Sequence, residues 1–389
     1  MNVESLQIIS KFMNDYEYEK AMELCDELLK KDNENTHLWA LKGCCLNHFE
    51  KYVEAMECYN RSLSVDDENP FIWFHVGKIL MEYDLFDDAL ECFNNSLEIN
   101  PADDMALYSK GECLMFKKSY TEAITCFDLA IGFNPKYLNA WLNKGLALKL
   151  SNNFKEALEC FDKVLFIDYN SKDALYFKAD CYFNLGDLNS ALECCNEALI
   201  IDGDYLNSEI LLIKSVVLMD LGEYGSVIEA ADIALENNSD DYDLKMLKAQ
   251  ALAFAGKYME ALWLVEELAD EESLECLNQI KNIRNASIIE LKAVILMGMS
   301  NYKRALDLLN EVLKLDCGNV SALYYKTECL FKLKRFKEVV DTADVALKID
   351  KNHQSILINK FCSLVELNNT KEALKVKEKL LRLGLNCNI

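Results

Sequence analysis

Cys44, Cys45 and His48 come nearest to a metal-ligand pattern in this chain, because Cys44 and His48 stand i, i+4 and would share one face of a helix. Zinc takes about four ligands. The matching positions one period away are Ser10, Asn14, Lys78 and Glu82, of which only Glu82 adds a usual donor, so packed helix is the better account. Cys194 and Cys195 are adjacent, and on a helix they point about 100° apart, which is not the geometry of a redox pair. Glu57, Glu91, Glu159 and Glu193 recur at multiples of 34 residues. That spacing sets them in a column of solvated carboxylates and not in the converging pair that general acid and base work needs. No phosphate loop, dinucleotide fingerprint, nucleophile elbow or HExxH pair occurs, and four His leave few candidates for a histidine dyad. The chain therefore reads as a non-enzyme with no catalytic residue, no metal site and no cofactor.

The elements that carry these residues announce themselves by repetition. Cys58, Cys92, Cys126, Cys160 and Cys194 stand 34 residues apart, each inside a near-copy of one phrase: AMECY, ALECF, AITCF, ALECF, ALECC. Gly43, Gly77, Gly111 and Gly145 form a second ladder of the same period, with Ala179 on the next rung. A fixed period of this length marks a stacked array. Each period holds two apolar stripes at helical spacing: Trp141, Gly145 and Leu148, then Phe154, Ala157, Phe161 and Val164. A polar turn, Ser151 to Asn153, separates the stripes. Asn100-Pro101 and Asn134-Pro135 punctuate the pairs, since the residue before proline disfavours helix. The small rungs belong where paired helices approach closely, and Phe161 fills the space toward the following pair.

Half of the 389 residues are hydrophobic and only 13 Gly and 3 Pro are present, which leaves ample apolar surface and little linker. The N-terminus lacks the basic start and apolar run of a secretory signal. No apolar stretch approaches the roughly 20 residues of a membrane span. A soluble, cytoplasmic chain without membrane contact is expected. Sixteen cysteines then read as small buried hydrophobes. Equivalent positions on stacked pairs lie roughly 10 Å apart, beyond the about 7 Å that a disulfide spans. A net charge of −24 argues against nucleic acid. Residues 320–389 are locally basic, with 13 Lys and Arg against 8 Asp and Glu.

In these features the chain resembles the tetratricopeptide repeat, a 34-residue helix-turn-helix unit, with Trp141, Gly145, Phe154, Ala157, Phe161 and Pro135 at its signature places. The resemblance implies an all-α, right-handed superhelical solenoid of about eleven repeats, beginning near Asn2, Thr36, Pro70, Asp104, Leu138, Lys172, Ser208, Tyr242, Ala286, Val320 and Gln354. The period widens to 36 after Lys172 and to 44 after Tyr242. The extra ten residues lengthen a helix or add a short one, and they divide the chain into an array over 2–269, an insertion over 270–285 and a second array over 286–389. The final helix, from Lys371 to Leu383, is expected to act as its own charged cap.

The resemblance also implies a concave groove, lined by the first helix of each pair, that binds a peptide or helix. The family's groove positions fall here on Phe71, Phe74, Lys78, Met81, Met105, Tyr108, Glu112, Met115, Leu142, Lys149, Asp173, Tyr176, Asp180 and Phe183. These residues lie off the pair-packing stripe, and Met and aromatic residues suit adaptable recognition. Without a converging Arg, Lys78 and Lys149 make a poor clamp for a terminal carboxylate. A ligand with apolar and some basic side chains suits Glu112, Asp173 and Asp180 better. We read the chain as a protein-interaction scaffold. The alternatives are a self-associating structural protein, in which the basic C-terminal repeats meet acidic surface of another copy, and a regulatory subunit of an enzyme complex.

Overall fold

A side chain caps the start of most first helices. In the computed structural model, which describes residues 3–201, 203, 206–271 and 278–385, Asn35, Asn69, Asp103, Ser171, Asp241 and Asn319 each accept a hydrogen bond from a backbone N–H two or three residues on. These bonds satisfy donors that the helix itself leaves orphaned. Pro70 occupies the first turn after Asn69, where its missing N–H costs nothing.

The described residues form twenty-two α-helices and no strand. One compact unit, Met1–Ile201, holds α1 (Val3–Asn14), α2 (Tyr18–Leu29), α3 (Thr36–His48), α4 (Tyr52–Leu63), α5 (Pro70–Glu82), α6 (Phe86–Ile99), α7 (Asp104–Phe116), α8 (Tyr120–Phe133), α9 (Leu138–Leu150), α10 (Phe154–Ile167), α11 (Lys172–Asn184) and α12 (Leu188–Ile200). A second, Asp202–Ile389, holds α13 (Asn207–Leu221), α14 (Tyr224–Asn237), α15 (Tyr242–Phe254), α16 (Tyr258–Glu271), α17 (Asn278–Gly298), α18 (Tyr302–Leu315), α19 (Val320–Lys332), α20 (Phe336–Ile349), α21 (Gln354–Glu366) and α22 (Thr370–Arg382). Odd-numbered helices are the first of each pair, so eleven pairs are present. Nearly all begin where the periodicity places them. The exception is the ninth pair, whose first helix, α17, starts at Asn278, eight residues ahead of Ala286. Residues 278–285 of the insertion thus lengthen a helix, and 272–277 lie outside the described residues.

The turn within each pair carries one residue in the left-handed region: Tyr16, Glu50, Asp84, Lys118, Asn152, Gly186, Gly222, Gly256, Ser300, Lys334 and Asn368. Their spacing follows the repeat through its steps of 36 and 44. At Asn152 the N–H bonds back to the Lys149 carbonyl at 2.9 Å and the Asn153 N–H to the Leu148 carbonyl at 2.8 Å, the reciprocal pair that closes a helix end.

Glycine is required on the inner rung because an aromatic ring lies against it. A Cβ added at Gly43, Gly77, Gly111 or Gly145 would come within 2.6, 2.7, 2.5 or 2.6 Å of Tyr59, Phe93, Phe127 or Phe161. Phe161 therefore fills space inside its own pair as well as toward the next, where it stacks on Phe177 at 5.6 Å. Further along the array the same two rows carry Ala179 with Cys195, Ala249 with Val265 and Ala293 with Leu309, all buried. Where the large partner is smaller than an aromatic ring, alanine takes the place of glycine on these rungs.

Successive pairs are tied by ion pairs whose period matches the repeat. Lys42, Lys144, Lys178, Lys248 and Lys360 reach Asp26, Asp128, Asp162, Asp232 and Asp344 on the preceding second helix. The five buried cysteines of the ladder are free thiols. At the C-terminal end α22 buries Ala373, Val376 and Leu380 against Leu357, Phe361 and Leu364, and leaves Lys371 and Lys375 exposed. No helix among the described residues is long and apolar enough to cross a membrane.

Candidate peptide-binding face

The residues suspected of chemistry disperse. His48 stacks on Tyr18 at 3.7 Å, whereas the Cys44 sulfur accepts a hydrogen bond from the Tyr59 hydroxyl at 3.3 Å, and burial pushes its thiol up to about 12. Their shared helix face therefore turns each toward a different aromatic partner. Glu57, Glu91, Glu159 and Glu193 are all exposed.

In the first unit α5, α7, α9 and α11 lie side by side, and their polar residues bond to one another. Lys78 of α5 stands 3.5 Å from Glu112 of α7. Glu112 accepts a 2.8 Å hydrogen bond from the Tyr108 hydroxyl, which in turn accepts one from Asn143 of α9 at 2.9 Å. Burial, and then this bond to a carboxylate, push the Tyr108 phenol well above its ordinary value. Lys149 of α9 pairs with Asp180 of α11 and lies 5.3 Å from the Phe177 ring centre. A stitched seam of this kind orders the face before any ligand arrives. It also leaves Lys78 and Lys149 committed to Glu112 and Asp180, so neither serves a terminal carboxylate without breaking an existing pair.

The apolar members divide. Phe71 is 43% exposed and Met105 55%. Phe74 and Met81 instead pack on Ala89, Phe93 and Cys113. Tyr108 and Met115 pack on the cluster around Phe127, and Leu142 on that around Phe161. The expectation that Phe74 and Tyr108 stand apart from the inter-helix core is thus corrected: each covers the ring of its own pair, Phe74 at 6.2 Å from Phe93 and Tyr108 at 5.9 Å from Phe127. Asp173, Tyr176 and Phe183 are half-buried on α11, with the Tyr176 ring 5.1 Å from Phe177.

The rows continue along the helices of the second unit. Stepping on from Leu142, Leu146 and Lys149 through the widened periods reaches Met246, Gln250 and Ala253 on α15, Glu290, Val294 and Met297 on α17, and Glu328 on α19. These residues line one cavity of about 690 Å³, closed by Phe254, Tyr258, Leu291, Tyr302, Tyr325 and Lys332. Gly298 belongs to its wall because Tyr258 lies where a Cβ would be, 2.3 Å away. Glu290 accepts a 3.2 Å hydrogen bond from Asn319, and burial raises its carboxyl above the ordinary range. The signal that finds this cavity is the steps of 36 and 44, applied to the groove rows as well as to the helix starts.

A stacked array of helix pairs with small inner rungs, aromatic covers and a 34-residue step agrees with the match of residues 77–137 to the tetratricopeptide repeat family. The chain is a tetratricopeptide repeat protein. Residues 150–232 and 281–346 also match the family of subunit 3 of the anaphase-promoting complex, or cyclosome. Comparison with curated proteins finds no match. Similar solved structures include YrrB, described as a tetratricopeptide repeat protein with an unusual peptide-binding site, 19% identical over 47% of this chain and 94% of that one with a TM-score of 0.43. The pilF protein of Pseudomonas aeruginosa is 15% identical over 55% and 97% with a TM-score of 0.48. Naa15/Naa10 bound to HypK-THB is 15% identical over 99% and 68% with a TM-score of 0.39.

Proposed function

We propose that this tetratricopeptide repeat protein is a non-catalytic, cytoplasmic scaffold that binds a peptide or helix of a protein partner along its first-helix faces. The observation that carries this reading is the division of labour on α5 to α11: polar residues are bonded to each other, so Phe71 and Met105 present apolar surface on an already ordered support. Binding to such a support orders few new groups, which lowers its entropic cost. The likeness to a subunit of a multi-protein complex supports assembly with other proteins.

Self-association has a specific observation of its own. Lys348, Lys375, Lys379 and Arg382 border two cavities between and beside α20 and α22, and the rest of the chain is strongly acidic. The test of the main reading is affinity capture from native lysate with the wild-type chain and with Phe71→Ala/Met105→Ala, followed by mass spectrometry. A partner retained by the wild type and lost by the variant, at unchanged thermal midpoint, supports the face as the binding surface, with a loss of about 2 kcal/mol at the better anchor. Equal retention by both chains refutes it, and a salt-sensitive dimer as the sole species recovered favours self-association.

A further inference from the structure

We propose that the cavity between α15, α17 and α19 receives a cationic side chain, arginine or lysine, of a peptide partner. The inference rests on the scaffold reading and adds what the second unit selects.

Three observations converge on a cation. First, two carboxylates enter the cavity from adjacent first helices, Glu290 from α17 and Glu328 from α19. Among the described residues neither forms an ion pair: Glu290 is held by the neutral Asn319 amide, and Glu328 meets the Tyr324 hydroxyl. The contrast with the first unit is direct, since there Glu112 and Asp180, on the row of Glu328, already have Lys78 and Lys149. Second, Phe254, Tyr258, Tyr302 and Tyr325 supply aromatic faces around the same space, and ring faces attract guanidinium and ammonium groups. Third, the volume of about 690 Å³ lies within the roughly 300–1,000 Å³ typical of ligand cavities.

The electrostatics of the cavity agree. Tyr325 is pushed up by burial and then by Glu290 and Glu328, which places its phenol within the field of both carboxylates. Lys332 lines the cavity one turn beyond Glu328, and among the described residues the two form no ion pair. A cation entering the cavity would stand against two carboxylates that form no ion pair among the described residues, with Lys332 also in the lining, and the chain's net charge of −24 favours a basic ligand over an acidic one from a distance. Apolar wall from Met246, Val294 and Met297 suits the aliphatic stem behind the charge.

The experiment uses the full-length chain and four pools of immobilised nonapeptides, randomised except for a central Arg, Lys, Leu or Glu. Wild type is compared with E290Q/E328Q, which keeps the amide-sized side chains and removes both charges. Circular dichroism midpoints confirm that the variant folds. Retention on the Arg or Lys pool at least tenfold above the Glu pool, collapsing to within about twofold in E290Q/E328Q, is the expected result. Retention on all pools without preference, or a basic preference that survives in E290Q/E328Q, overturns the inference and leaves peptide docking standing. Retention on no pool counts against both.

Discussion

Gly111→Ala and Gly132→Ala are the same substitution on the two helices of one pair, and the structure assigns them opposite signs. Replacing helical Gly by Ala stabilises by about 0.5–1 kcal/mol when nothing opposes the methyl. At Gly132, near the end of α8, no atom lies within 4 Å of the added carbon, so that gain, or the smaller part of it available in a last turn, is expected. At Gly111, in the middle of α7, the carbon would sit 2.5 Å from the Phe127 ring, against the roughly 3.5–4.0 Å of an unstrained contact. Phe127 is fully buried, so its ring has to shift by about 1 Å into packed neighbours, and overpacking of this kind costs about 1–3 kcal/mol. The net expectation is a loss of up to about 2 kcal/mol. Gly111→Ala/Phe127→Leu copies the Ala293 and Leu309 combination that the protein itself uses on these rows, and it should recover stability by about 1 kcal/mol or more relative to the sum of the single changes. Urea melts by circular dichroism would be read together with amide exchange in α7 and α8, because long arrays depart from two-state unfolding. Gly111→Ala as stabilising as Gly132→Ala, or strict additivity in the double variant, refutes the packing argument.

Burial pushes the His75 imidazole down to about 4, so the folded state resists a proton that the unfolded chain accepts near its ordinary value of 6.5. Stability should therefore fall as pH drops from about 6.5 toward about 4, and His75→Leu should flatten that slope in a pH series of thermal melts; an unchanged slope refutes the assignment. Among the described cysteines, alkylation of the native chain should label Cys317 first, because it is exposed while thiols such as Cys25 and Cys181 are buried and pushed up to about 12. Peptide mapping checks the order, and early labelling of Cys25 would contradict it. Limited proteolysis should cut within 270–285, where the chain exceeds its repeat, yet the nicked halves should co-elute on size exclusion because Leu264 and Leu268 of α16 share a core with Ile288, Leu291 and Ile295 of α17. Separation of the fragments would show that this shared core does not hold.

What the sequence makes legible here is what repeats with a chemically distinct residue. Gly111 against Phe127 and Cys92 against Cys126 are visible because glycine, aromatic and cysteine are each uncommon enough to mark a row. The left-handed turn position repeats just as strictly, yet it escapes notice, because Glu50, Lys118 and Ser300 occupy it where glycine signals it only at Gly186, Gly222 and Gly256. Its closing hydrogen bonds involve backbone alone, so side-chain identity is weakly constrained. The start of α17 escapes for another reason: residues added ahead of a helix can extend it without disturbing any row that follows.

The face was harder to read than the fold because the cover over a first-helix residue comes from elsewhere in the stack. Helical periodicity places Tyr108 off the pair-packing stripe, but it misses both the Phe127 ring that Tyr108 covers and Asn143, which is 35 residues away and bonds to the Tyr108 hydroxyl. Lys149 looks like a free groove cation until Asp180 is read beside it, 31 residues on and on the neighbouring first helix. In a stacked array the useful unit for reading a surface is therefore two adjacent first helices. Applied that way, an acid with a lysine on the adjacent first helix is a seam, as Glu112 and Lys78 are, while Glu290 and Glu328, on neighbouring rows of two adjacent first helices and without such a lysine on the preceding one, leave charge available to a ligand.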